Sequence, residues 1–348
     1  MSQGQAQDAR RVAVFVRERF GPRAEVDRLA GDASDRRFYR VKAPGLSSLV
    51  LMVHASPFEL AALPLFLHGR FLLSIGASVP QIVASYPSQG ILVVQDLGDE
   101  TLQDHLGRCA PERRRFFYMQ AVQTIALLQG EGTRSLSDDL PAARTALDRE
   151  RLTYELRFFF EHYALGLLEA RLTQAEAARL DSWLAALAAQ VASQRRVLCH
   201  RDFHSRNLMV KGDRLFMVDY QDARLGPYTY DLVSLLRDSY VDLPQDLTRE
   251  MVEFFLETAE VNEPLGLFME RYARAGLQRN IKAIGTFASQ AVTKGNRSYL
   301  QYIPRTLELI RSGLGQEEGD AEILEFFNGP LDLPRRLHGT TTRSNGER

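Results

Sequence analysis

Two short apolar runs, Val197-Leu198 and Leu215-Phe216-Met217-Val218, bracket the polar segment that constrains this chain most. The first leads into Cys199-His200-Arg201-Asp202-Phe203-His204-Ser205-Arg206-Asn207, and the second leads into Asp219-Tyr220-Gln221-Asp222. Each apolar run reads as a buried strand. Asn207 to Val210 reads as another short strand, with Lys211-Gly212-Asp213 as its turn. Asp202 therefore stands five residues before Asn207 and seventeen before Asp219. Strand ends are expected to hold one aspartate, one asparagine and a second aspartate close together. Phosphoryl transfer from a nucleotide uses such a set. One carboxylate orients the attacking hydroxyl and receives its proton, while an amide oxygen and a second carboxylate hold magnesium against the β- and γ-phosphates.

The rest of the chain permits this chemistry and excludes several others. Its 348 residues, 45% of them hydrophobic, suffice for a core and for two lobes. A formal net charge of -1 gives no basic field for nucleic acid or acidic membranes. Two cysteines, Cys109 and Cys199, make neither a disulfide framework nor a zinc ligand set, and a reducing, cytoplasmic home fits them. The polar start, Met1 to Arg11, has no apolar signal core, and no apolar run approaches the ~20 residues needed to span a bilayer. Lysine occurs only at positions 42, 211, 282 and 294; none follows a glycine, so no Walker A phosphate loop is present.

Val12, Phe15, Val16 and Phe20 share one helical face, which predicts an opening helix near 8–20 ended by Gly21-Pro22. Strand-like runs follow near 25–30, 38–43, 48–54, 81–86 and 91–95, with a helix near 58–74. Past Leu97-Gly98-Asp99-Glu100 the pattern turns helical. Helices are expected near 101–107, 111–130, 144–170, 174–194, 228–240, 246–260, 264–293 (with a break) and 299–313. Thr173-Gln174-Ala175-Glu176 is a capping box opening the fourth of these. The hairpin around 197–219 is expected to be the only β-structure in this part. Phe158-Phe159-Phe160, Tyr163 and Trp183 read as core. The fold class is α+β and bilobal: a nucleotide-binding lobe over 1–97, a helical lobe with the catalytic loop and acceptor site over 98–335, and a disordered tail over 336–348.

The motif His200-x-Asp202-x-His204-x-x-Asn207, followed by Val218-Asp219-x-x-Asp222-Ala223-x-x-Gly226-Pro227-x-x-Tyr230-Asp231-Leu232, resembles the aminoglycoside phosphotransferase and choline kinase family. The resemblance spans roughly residues 10–310 and implies a protein-kinase-like fold. Residues 33–41, Tyr220-Gln221-Asp222-Ala223 and Tyr230 to Asp238 are more narrowly similar to bacterial sugar kinases that act on the anomeric hydroxyl of N-acetylmuramate and N-acetylglucosamine. The spacing carries the kinase chemistry; only the resemblance suggests the sugar and a place in cell-wall recycling. By the same resemblance Asp202 is the catalytic base, Asn207 and Asp219 are magnesium ligands, and His200 and Asp231 brace the loop. ATP and Mg2+ are the implied cofactors.

The nucleotide side departs from the usual pattern. Kinase-like folds place a lysine or arginine on the third strand, where this chain has Met52. Lys42 or Arg40, on one face of the second strand with Phe38, is expected to reach the phosphates instead. Ser34, Arg36 and Arg37 belong to the loop that would cover them, and Glu59 is a candidate partner carboxylate. Gln95, Asp96 and Leu97 form the expected hinge, whose backbone would pair with the base. For the acceptor, the candidates are His204, Asp222, Arg237, Lys294 and Arg297, with Lys294-Gly295-Asn296-Arg297 as a polar break among helices. A lactyl carboxylate would want one of those cations. Three rival readings accompany this one. They are an aminoglycoside or amino-alcohol phosphotransferase, a nucleotide-binding pseudokinase, and a metal-dependent hydrolase using His200, Asp202, His204 and Asp219.

Overall fold

The computed structural model describes residues 3–29, 36–315, 317, 319–334 and 337. The expected tail and the loop residue Ser34 lie outside the described residues, apart from position 337. The chain divides into two compact units: Met1–Thr101 with Met209–Gln221, and Leu102–Leu208 with Asp222–Arg348. The first boundary falls four residues beyond the expected one, and the segment 209–221 joins the first unit.

The first unit is built on an antiparallel sheet. Its strands are β1 (Glu25–Arg28), β2 (Arg37–Lys42), β3 (Leu49–Val53), β4 (Ile82–Tyr86) and β5 (Ile91–Gln95), ordered β1-β2-β3-β5-β4. Helix α1 (Gln3–Phe20) covers one face. Val12, Phe15 and Val16 share a stripe of that helix and meet Tyr39, Val41, Leu51, Val53, Ile91 and Val93, the inward set of the alternating strands. The other alternate set, Phe38, Val50, Met52 and Val94, faces a cavity described below. Gly21 stops α1 at φ 91°, a conformation that a side chain resists. Helix α2 (Pro64–Ser74) starts later than expected, because Leu60–Ala62 forms a separate 3-10 turn before Pro64. Strands β7 (Leu208–Lys211) and β8 (Arg214–Met217) form the hairpin expected from Lys211-Gly212-Asp213. Within the first unit, Val210 N–H bonds the Glu100 carbonyl and Met217 N–H bonds that of Ser78.

The second unit is mostly helical: α3 (Leu102–Leu106), α4 (Pro111–Leu127), α5 (Arg149–Phe159), α6 (Gln174–Ala192), α7 (Tyr230–Leu236), α8 (Gln245–Thr258), α9 (Leu265–Thr293), α10 (Ile303–Gly313) and α11 (Asp320–Asn328). The capping box opens α6, with both Thr173 and Glu176 hydrogen bonds made. The helix expected over 144–170 starts at Arg149, where the Asp148 carboxylate accepts from Arg151 N–H, and passes into a π-helical turn over Phe160–Leu167. The break expected in 264–293 is absent: α9 is continuous for 29 residues, its middle buried. Gly285 allows that burial, since a Cβ there would lie 2.7 Å from the Phe159 backbone of α5. The hairpin is not the only β-structure after residue 97. Strand β6 (Arg196–Cys199) pairs antiparallel with β9 (Arg224–Pro227), a segment that reads as a turn in the sequence. Helix α11 is a further addition. Among the described residues no helix is long and apolar enough to cross a membrane.

Candidate active site

In the second unit the loop leaving β6 is fixed almost atom by atom. The buried Asp231 carboxylate, from the first turn of α7, accepts the backbone N–H groups of His200 at 2.6 Å and Arg201 at 2.9 Å. Those bonds hold Arg201 at φ 82°, an uncommon conformation for a bulky residue. The Asp202 carbonyl accepts from His204 N–H at 3.0 Å and from the Asn207 side-chain amide at 2.9 Å. Farther along, Asp238 accepts both the N–H and the hydroxyl of Ser205, at 3.0 and 2.6 Å. Burial pushes the Asp231 carboxyl up to about 6, even though His200 and the two N–H bonds favour its charge. Burial likewise raises Asp238.

The Asp202 side chain is treated differently. Its Oδ1 lies 2.6 Å from the Lys282 ammonium of α9. Burial opposes its charge, but Lys282 and the Arg201 guanidinium overcome that cost and hold the carboxyl well below the usual carboxylate range. The side chain stays 29% exposed, so this carboxylate is both ionised and reachable. Arg201 reaches back to the buried Glu155 at 3.0 Å, and Glu155 accepts from Gln278 of α9 at 3.2 Å. Sequence reasoning missed Lys282. Its signal was a single lysine inside Ile281-Lys282-Ala283-Ile284, the apolar run of the longest helix.

The other acceptor-side candidates scatter. His204 is pressed edge-on against the Tyr240 ring, 5.1 Å between centroids, and burial with the Arg279 charge drives its pKa well down. His200 is buried beside Phe203. Asp222 is exposed, 3.5 Å from Arg224 and 4.0 Å from Arg201. Arg237 is committed elsewhere: it bonds Asn280 and the Leu309 carbonyl and fills the space above Gly276. That commitment corrects its assignment to the acceptor. Lys294 and Arg297 sit on an exposed turn after α9, with Asn296 capping Ser298. Among the described residues, no three His, Cys, Asp or Glu side chains are grouped as ligands for a metal.

The first unit contains a cavity of about 300 Å³. Its walls are apolar, with Val50, Met52, Leu65, Val94 and Met209 among them, and Gln95 to Gly98 also line it. Such an apolar slot suits a flat heterocycle. Polar groups gather at its other end, where Arg36 stands 3.7 Å from Asp219 and 3.8 Å from the Met52 sulfur. A guanidinium thus occupies the neighbourhood of the strand position that lacks a lysine. Asp219, at φ 66°, keeps a half-exposed carboxylate and accepts from Gln221.

The remaining basic candidates lie away from that end. Lys42 is exposed and paired with Asp27 of β1 at 3.4 Å. Arg40 is clamped by Asp96 and Asp99 at 2.7 to 3.0 Å. Neither lines the cavity. Arg37 shares the Tyr39 face of β2, opposite the cavity. Gln95, Asp96 and Leu97 do line it. Asp96 is held low in pKa, burial notwithstanding, by Arg40 and the Gly98 N–H. Each unit by itself offers hard oxygen: the first the Asp219 carboxylate, the second the Asn207 amide oxygen, whose nitrogen partner is spent on the Asp202 carbonyl.

The model of the phosphotransferase enzyme family matches residues 25–265. An N-acetylmuramate/N-acetylglucosamine kinase of Pseudomonas aeruginosa is 30% identical over 321 residues, covering 90% of this chain and 91% of that protein. One of Neisseria meningitidis is 30% identical over 288 residues, covering 81% and 83%. The crystal structure of aminoglycoside phosphotransferase APH(2'')-Ib, ADP-bound, aligns with a TM-score of 0.58 at 15% identity, over 87% of this chain and 97% of that one. At that identity the likeness speaks for the fold, which is protein-kinase-like.

Proposed function

This chain belongs to the phosphotransferase enzyme family, and from that premise we propose that it moves the γ-phosphoryl group of ATP onto the anomeric hydroxyl of N-acetylmuramate or N-acetylglucosamine. The observation that carries the reading is Asp202: an ionised, reachable carboxylate on a loop whose backbone is tied down on both sides. In this role Asp202 accepts a hydrogen bond from the acceptor hydroxyl, aims its oxygen at phosphorus, and takes the proton late in a loose transition state. A hemiacetal hydroxyl is more acidic than an ordinary alcohol, so a weakly basic, strongly ion-paired aspartate suits it.

The apolar slot of the first unit takes the nucleotide base, with Gln95 to Leu97 along it. Arg36 takes the place of the missing strand lysine at the phosphates. Asn207 and Asp219 offer the oxygen ligands for Mg2+, which when bound neutralises charge on the phosphates. Lys282 also bears on acceptor class. It balances the charge of Asp202, so an aminoglycoside or a quaternary amine finds no net anionic wall there. The sugar 1-phosphate would feed nucleotide-sugar synthesis in the cytoplasm.

The test is ATP turnover against a panel of N-acetylated sugars, aminoglycosides and amino alcohols, with phosphorus NMR of the product. An anomeric phosphate from the N-acetyl sugars is expected. Turnover confined to aminoglycosides or choline-like alcohols, or phosphate on another oxygen, refutes the proposal.

A further inference from the structure

We propose that Lys282 is a positioning residue for phosphoryl transfer: its ammonium holds Asp202 in the one rotamer that presents Oδ2 to the acceptor hydroxyl. The inference rests on the reading of Asp202 as the base and is independent of which sugar is the acceptor. An aspartate on a loop has several staggered χ1 wells and a broad χ2, so an unrestrained carboxylate would spread over many directions. Here the backbone is fixed first, by the Asn207 amide and His204 N–H on the Asp202 carbonyl. Lys282 then takes Oδ1 at 2.6 Å. With the carbonyl and Oδ1 both engaged, Oδ2 is the oxygen left for a substrate.

The helix behind Lys282 is built to hold still. Positions 278 and 282 are one turn apart on α9 and face the same way. Gln278 secures Glu155, which secures Arg201, the residue before Asp202. Arg279, buried on the same helix, bonds the Ser234 hydroxyl of α7. Asn280 bonds the Arg237 carbonyl at the end of α7. The helix is thus tied to the loop through Glu155 and Arg201 and to α7 through Ser234 and Arg237, and Lys282 bonds the reactive carboxylate itself. Lys282 is itself only 13% exposed, so its stem is packed and its ammonium is not a free surface charge.

The test compares Lys282→Ala, Lys282→Met and Lys282→Arg with the parent. Misplacing a reacting group by an ångström costs about a hundredfold. Lys282→Ala and Lys282→Met are therefore expected to lose about 10²-fold in kcat, with the KM for ATP within about threefold of the parent. Propylammonium added in solution should restore part of the loss in Lys282→Ala, where the stem has left space, and none in Lys282→Met, where it is filled. Lys282→Arg should keep an intermediate kcat. In an Asp202→Asn background the Lys282→Ala change should add little, because the two act as a unit.

Amide hydrogen exchange over residues 202–207 should speed up in Lys282→Ala and Lys282→Met, a readout that needs no acceptor. A kcat within threefold of the parent overturns the proposal. So does a loss that the amine leaves untouched in a variant unfolding like the parent, or a loss fully additive with Asp202→Asn. Should the parent phosphorylate no acceptor at all, the functional reading fails, and the exchange measurement alone decides Lys282: unchanged protection overturns it.

Discussion

Replacing Asp231 by asparagine separates two effects that the structure sets against each other. The carboxylate is fully buried and receives two backbone N–H groups, one on each oxygen. Asparagine keeps the shape but turns one acceptor into a donor facing an N–H, which costs about 1–3 kcal/mol for the group left unsatisfied. Against that stands the cost of keeping the charge. Burial lifts the folded pKa from 3.8 to about 6, which at about 1.4 kcal/mol per pH unit makes the ionised form cost about 3 kcal/mol at neutral pH.

The sign follows from proton binding. Between 3.8 and 6 the folded protein holds the proton that the unfolded chain has released, so the Asp231 contribution to stability declines as pH rises. Asparagine has no such decline. The destabilisation by Asp231→Asn is expected to be largest in acid and to shrink by about 2 kcal/mol between pH 4.5 and 7.5. The single tryptophan, Trp183, lies in α6 of the second unit, so its fluorescence in urea follows the unit that holds Asp231. Turnover should fall at every pH, because the 200–202 backbone loses an anchor. A stability difference that stays flat, or widens with pH, refutes the assignment of Asp231 as a charge held against its own burial cost.

The remaining predictions concern both units. Arg36→Ala should raise the apparent KM for ATP about tenfold, the worth of a charge-assisted hydrogen bond, while Lys42→Ala should change it less than about twofold. Steady-state kinetics decide this, and equal effects would remove Arg36 from the phosphates. Asp219→Ala should abolish the strengthening of ATP binding by Mg2+, measured by calorimetry with and without the cation; an unchanged magnesium effect would clear Asp219 of that role. Asp320→Ala should destabilise the second unit by about 1–3 kcal/mol, since the buried Arg274 loses the carboxylate at 3.0 Å while keeping Glu317 at 3.5 Å, and Trp183 loses its acceptor. A loss under about 1 kcal/mol in the Trp183 unfolding curve would show that the pair contributes little.

What could be read from the sequence follows the range of the forces involved. Local periodicity gave α1 and the strands of the first unit, because Val12, Phe15 and Val16 repeat as a helix does while Tyr39 and Val41 alternate as a strand does. The capping box was equally local. Strand β9 was hidden because Gly226-Pro227 carries turn chemistry. What makes it a strand is β6 alongside, and Gly226 is needed there because a Cβ would stand 3.0 Å from Leu147 and 3.2 Å from the Cys199 sulfur. Helix α11 is nine residues long and anchored through Asp320 to residues far back in the chain, so its own pattern said little.

The charged groups show the same divide more sharply. Phe38, Arg40 and Lys42 were correctly placed on one strand face, yet that face does not decide what a cation meets. Arg40 finds Asp96 and Asp99, 56 and 59 residues away, and is neutralised by them. Lys282 finds Asp202 across 80 residues. Periodicity marks α9 as buried without saying what it lies beneath, and a lysine in a buried helix face is costly unless a partner waits there. That cost is the usable clue: an ammonium retained in an apolar, buried stretch of the longest described helix implies a buried or half-buried carboxylate facing it. In a chain with four lysines, the one that breaks an apolar run was the one to match with the motif's unpaired aspartate.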